Sequence, residues 1–182
     1  MFLKKVIALF LILISLYFIP FSYARNIVEE YQIKAVYLFN FALFLSWPRY
    51  VFKHPNQPFR ICIIGDDPFG IDLDLVIENE KVERRRVIVQ RINSIKKSKY
   101  CQILFVSQSE RSRMANIFTY LRRHPILTVS DMKNFANLGG MIQFFNTPNN
   151  KVRFIIVPET VDEAELIASA NLLQIARIVH RR

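Results

Sequence analysis

Glycine is scarce in this chain, 4 among 182 residues, and the scarcity removes the usual nucleotide cradles. A dinucleotide turn needs GxGxxG so that the backbone can approach pyrophosphate, and a P-loop needs GxxxxGK followed by Ser or Thr. Neither pattern occurs. Histidine is equally sparse: His54, His124 and His180 stand beside proline or in the basic tail, without the spacing of a metal-ligand set. No GxSxG elbow is present, and neither cysteine sits in a reactive-looking polar setting. Asp162 and Glu165 are paired carboxylates at an expected helix start, where acidic side chains suit the dipole. Nothing here argues for an enzyme, a bound cofactor or a metal. Linkers rich in Pro, Gly or Ser, internal repeats and low-complexity tracts are also absent, so residues 25–182 read as a single domain.

Long apolar runs are confined to the start, MFLKKVIALFLILISLYFIPFSYA. Lys4 and Lys5 form a basic head, and Val6 to Ile19 form an apolar run short for a bilayer. Pro20 breaks the run, and Ser22-Tyr23-Ala24 places small residues where a signal peptidase reads. Residues 1–24 are therefore expected to be a cleaved signal peptide, with an uncleaved anchor as the alternative. Acidic residues are outnumbered, 15 against 25 basic, and removal of the two leader lysines leaves a charge of +8. The bases cluster at Arg84 to Arg86, at Lys96, Lys97 and Lys99, at Arg122 and Arg123, and at Arg181 and Arg182. An exported protein rarely meets nucleic acid, so an anionic membrane face or an acidic protein partner fits better. A solvated basic surface is the plainer reading of any single cluster.

Two cysteines remain, Cys62 and Cys101, each in an apolar strand-like run (RICIIG and YCQILFVS). An even count in an exported chain favours a disulfide. Two free buried thiols would fit the same strands.

The elements alternate. A long helix is expected from Asn26 to Ser46, with Glu30 and Lys34 at i,i+4 spacing; from Ala35 to Leu45 it is apolar almost all round, and Asn40, the lone polar residue of that stretch, is expected to make a structural hydrogen bond. Strands are expected at 59–64, 86–90, 101–106 and 126–129, and an antiparallel hairpin joins 141–145 to 151–157 across TPNN. A helix capped by Ser107 and Glu110 should follow the third strand, and Gly139-Gly140 should supply positive-φ positions at a helix exit. A last helix should begin at Thr160 and carry Ala164, Ala168, Leu172, Ile175 and Val179 on one face. Helices recurring between apolar strands give an α/β fold, a mixed sheet covered on both faces.

The stretch ICIIGDDPFG (61–70) raises the question of a phosphate loop, but Asp66 and Asp67 repel phosphate and Pro68 removes an amide donor. A turn with an Asp cap is the better reading. Strand ends at Asp66 and Asp67, Ser107, and Ser130 and Asp131 could together line a ligand crevice at the carboxyl edge of a sheet. All are also ordinary helix caps.

Taken in order, EYQIKAVYLFNFALFLSWP, ICIIGDDPFG, YCQILFVSQSE, PILTVSDMKNFANLGGMIQFF and KVRFIIV resemble the YfiR-like family of exported bacterial proteins, from about Glu30 to the end. The resemblance implies a periplasmic three-layer α/β/α sandwich with a mixed, mostly parallel sheet, usually dimeric. It also implies a role: binding the periplasmic domain of an inner-membrane diguanylate cyclase and keeping it inactive, which lowers cyclic-di-GMP and biofilm formation. Cys62 and Cys101 match the family's core cysteine pair. A second pair found in some members near GGMI is missing here, which puts redox control through a second bridge in doubt. On this reading Val36, Phe39 and Leu43 are candidates for self-association, and Ile167, Leu172 and Ile175 for partner binding. The alternative is a periplasmic small-molecule sensor serving another membrane receptor or transporter, with an undiscovered hydrolase more remote.

Overall fold

The structure is a computed structural model that describes residues 29–122 and 124–181; the expected signal peptide, residues 1–24, lies outside the described residues. Helix α1 covers residues 29–44. The i,i+4 spacing of Glu30 and Lys34 is realised as an ion pair of 2.5 Å. Ala35, Leu38, Phe41, Ala42 and Leu45 recur at three- and four-residue steps and are all buried. Phe41 meets Phe154 edge-on, with ring centroids 5.0 Å apart, and stacks on Phe144. The helix was expected to reach Ser46 but ends two residues earlier. Leu45–Ser46 (β1) instead pairs antiparallel with Ile167–Ala168 (β9).

Between these come β2 (Phe59–Ile64), α2 (Asp72–Val76), β3 (Lys81–Val82), β4 (Arg85–Ile92), β5 (Ile103–Val106), α3 (Met114–Leu121), β6 (Leu127–Ser130), β7 (Ile142–Asn146) and β8 (Val152–Ile156). Short 3-10 turns occupy Arg49–Val51, Ile95–Tyr100 and Gln108–Arg113. One curled eight-stranded sheet runs β10-β8-β7-β6-β5-β2-β4-β3, where β10 is Arg177–Ile178. The strands β4, β2, β5, β6 and β7 are parallel neighbours, while β7–β8 and β3–β4 are antiparallel. The expected mixed, mostly parallel sheet is thus present. From β2 the chain winds first to β4 and then returns to β5 on the other side, so the winding reverses between β2 and β5.

Strand alternation divides the core in two. Phe59, Ile61 and Ile63 point into one apolar cluster with Ile103 and Phe105, covered by α1 and α2. Cys62 and Ile64 point into the other with Leu104 and Val106, covered by Met114, Ile117 and Leu121 of α3. Helices therefore cover both faces, giving three layers. Cys62 and Cys101 are joined in a disulfide, with Cα atoms 5.8 Å apart.

Three expectations are corrected. The last helix is not continuous: α4 (Pro158–Glu163) stops, Glu165 takes a positive φ of 58°, β9 follows, and α5 (Ala170–Ile175) starts afresh. Its cap is Ser169, whose hydroxyl accepts the Leu172 amide, and β10 then joins the sheet beside β8. The cause is tertiary: backbone pairing with β1 and with the outer side of β8 outweighs a helical apolar stripe. Secondly, Ser107 makes no side-chain cap, and the segment after it is a 3-10 turn before α3 begins. Thirdly, only Gly139 of the glycine pair has positive φ (111°). Gly140 is required for space, since a Cβ there would lie 2.1 Å from the Phe135 ring.

Candidate functional site

The carboxyl edge of the sheet gathers the loops after β2, β5 and β6, as the crevice reading requires. Their polar groups turn mostly toward one another. In the GDDPFG loop Asp67 accepts the Phe69 amide at 2.8 Å, an Asx turn in place of a helix cap. Arg91, from the end of β4, then clamps the loop. Its guanidinium donates to Asp67 at 2.8 Å, to both oxygens of Asp74 and to the Gly70 carbonyl. The hydrogen bond from Arg91 holds the Asp74 carboxyl below its usual range, against the opposing effect of burial. The Asp66 amide donates to Ser109 Oγ at 2.9 Å. Gly65, with φ of 89°, lets this approach occur, because a Cβ would sit 2.4 Å from that hydroxyl.

The serines are likewise engaged. Ser130 is fully buried; its hydroxyl donates to the Val106 carbonyl at 2.7 Å and accepts the Met132 amide at 3.0 Å. Ser107 is buried, and its backbone bonds to Ile64 and Glu110. The Ser130 hydroxyl is thus consumed internally and Ser107 is 5 % exposed, so of the five crevice candidates Asp66, Asp67 and Asp131 keep the most accessible surface.

Asp131 belongs to a second charged cluster, more deeply buried than that of Arg91. Lys34, only 3 % exposed, reaches Asp131 at 2.7 Å and Glu30 at 2.5 Å, and its ammonium lies 4.2 Å from the Tyr31 ring centroid. Tyr31 donates its hydroxyl to the same Asp131 oxygen at 2.7 Å, Asn146 donates to Glu30, and Gln108 donates to the Asp131 carbonyl. Burial, then the hydrogen bond to Asp131 and the nearby carboxylates, push the Tyr31 hydroxyl well above the usual tyrosine range. A shallow cavity of about 250 Å³ opens over this cluster. The sequence shows Glu30 and Lys34 only as an i,i+4 pair and does not reveal their link to Asp131. The available signal was a lysine whose helical neighbours, Ala35 and Leu38, are core residues.

Apolar surface is the other feature. On α1, Ile33, Val36 and Leu43 are exposed at three- and seven-residue steps, with half-buried Asn40 between the last two, while Phe39 is half-buried against the core. Asn40 has no side-chain hydrogen bond among the described residues, contrary to the expected satisfied polar group. In the C-terminal segment Ile167 is 69 % and Ile175 60 % exposed, whereas Leu172 is 1 % exposed and belongs to the core. Leu172 is therefore unavailable to a partner. The register Ser46↔Ile167, with the Ser169 amide bonded to the Phe44 carbonyl, brings the C-terminal apolar residues against the end of α1. Two surfaces read separately from the sequence thus adjoin. No helix among the described residues is long and apolar enough to cross a membrane, and no group of three His, Cys, Asp or Glu is placed to hold a metal.

A family model described as YfiR/HmsC-like matches residues 31–177, a span that includes most of α1, the disulfide and both apolar surfaces. No curated protein matches the chain.

Proposed function

The chain belongs to the YfiR/HmsC-like family, and from that premise we propose that it is a periplasmic regulator that binds the periplasmic domain of an inner-membrane diguanylate cyclase and holds it inactive. Family membership carries the reading. The adjoining apolar surfaces support it, because a protein that acts by contact needs exposed anchors that its own core leaves uncovered. Inhibition then works as a population shift: the regulator binds the inactive receptor conformation more tightly than the active one. Ile167 and Ile175 are the partner anchors. The α1 stripe of Val36 and Leu43, with Phe39 behind it, joins two copies in a homodimer. Asn40 sits amid that stripe, where a lone polar residue fixes the register of paired helices.

The test is capture of the native receptor from membranes. The wild-type protein should retain the cyclase, and I167D/I175D should lose it while keeping the wild-type melting profile. Unchanged cyclic-di-GMP after deletion of the gene would refute the reading. A second reading, a periplasmic small-molecule sensor, draws on a cavity of about 270 Å³ between α3 and α4, lined by Phe118, Met141, Thr160 and Glu163 among others. Its mark would be a thermal-shift response to a narrow set of metabolites.

A further inference from the structure

At the opposite, amino edge of the sheet lies an open cleft of about 680 Å³ whose lining includes Lys53, His54, Arg60, Lys99 and Tyr100 and no carboxylate. We propose that this cleft binds a phosphate group carried on an organic body, either a lipid headgroup or a soluble phosphoester.

The cations are the first argument. Lys53, Arg60 and Lys99 come from three separate segments, a loop, the start of β2 and the turn before β5, and converge on one concavity. None of the three forms an ion pair among the described residues. Elsewhere Lys34, Arg91, Arg113 and Arg181 each have a carboxylate. Gathering like charges without a counter-charge costs self-repulsion, which an anion of one to two negative charges relieves. Phosphate offers several acceptor oxygens at once, suited to one planar guanidinium and two ammonium groups.

The walls are the second argument, because they are held without any ligand. Arg85 donates to the carbonyls of His54, Pro55 and Gln57 at 2.9, 2.9 and 3.0 Å, and its guanidinium lies 4.0 Å from the Phe52 ring centroid. Gln57 closes the same loop through the Lys53 amide and the Val51 carbonyl. On the floor, the Arg60 backbone makes two bonds to Gln102, leaving its guanidinium without a hydrogen bond among the described residues. The far wall, Lys99 and Tyr100, leads directly into Cys101 and is fixed to β2 by the disulfide to Cys62. A site whose backbone is set in advance loses little freedom on binding. Tyr100 and Pro58 add apolar surface for the carrier, so the ligand is larger than bare phosphate.

The experiment compares two variants of equal charge. R60Q/K99Q removes cleft cations; K96Q/K97Q removes two exposed lysines of the same turn that do not line the cleft. Calorimetry with inorganic phosphate and with glycerol 3-phosphate forms one arm, and flotation with phosphatidylglycerol against phosphatidylcholine vesicles forms the other. Loss of two charge-assisted contacts should weaken binding at least about tenfold in R60Q/K99Q, with K96Q/K97Q close to wild type. Tighter binding of glycerol 3-phosphate than of inorganic phosphate identifies a soluble phosphoester; binding only to phosphatidylglycerol vesicles identifies the headgroup. No binding in either arm, or equal loss in the two variants, overturns the proposal. Neither arm involves the cyclase, so the result is independent of the regulatory reading.

Discussion

Replacing Asp131 by alanine should be among the most damaging single changes at the carboxyl edge. Asp131 is the shared acceptor for the Lys34 ammonium and the Tyr31 hydroxyl, both at 2.7 Å, and Lys34 is 3 % exposed. Removing one member of a buried ion pair costs about 3–5 kcal/mol, because the other charge is left uncompensated. Here Glu30 stays on Lys34 and retains some solvent contact, which favours the lower end, about 3 kcal/mol. For a chain of this size each kcal/mol lowers the melting temperature by about 2–4 °C, so D131A should melt roughly 6–12 °C below wild type. Urea unfolding followed by circular dichroism gives the free energy directly. A cycle with K34M and K34M/D131A separates pairing from packing: the double variant should lose less than the sum of the singles, by about 1 kcal/mol or more. If D131A lies within about 0.5 kcal/mol of wild type, or the costs simply add, the cluster is not the coupled unit described here.

C62A/C101A removes a crosslink spanning 39 residues, for which the chain-entropy model gives about 4 kcal/mol; the loss should appear in urea unfolding of the oxidised protein and vanish when both proteins are compared in reductant. The hydrogen bond from Arg91 lowers the folded-state value of Asp74, so its contribution is present above the ordinary aspartate range near about 3.9 and disappears as pH falls through the depressed value. In R91A the Asp74 carboxyl, followed by NMR titration, should return toward the ordinary range, and the acid limb of stability should become shallower.

How much of this was legible differs by element. Strands β2, β5 and β8 lie within a residue or two of expectation because a buried strand needs a run of Ile, Val, Leu and Phe and little else. The C-terminal segment was misread for the converse reason. Ala164, Ala168, Leu172 and Ile175 keep helical spacing, yet the decisive facts are the open edge of β8 and the end of α1, distant in sequence and near in space. Lys34 shows the same limit. Its partner at i−4 is local and visible, while Asp131 lies 97 residues away and becomes a neighbour only when α1 crosses the sheet. The aspartates of GDDPFG were read as a turn hostile to phosphate, and the arginine that neutralises Asp67 comes from another strand end. Local chemistry identified which groups needed partners; topology chose them.

The antiparallel pairing of β1 with β9 has a consequence for biosynthesis. Leu45 and Ser46 leave the ribosome more than a hundred residues before their partners Ile167 and Ala168. The end of α1 therefore has no pairing partner until β9 has been made, although Phe41 finds Phe144 and Phe154 earlier. Such long-range closure delays this pairing until β9 itself has been made. Truncation before Ile167 would accordingly strip β1 of its partner and loosen the end of α1, not merely shorten its own segment.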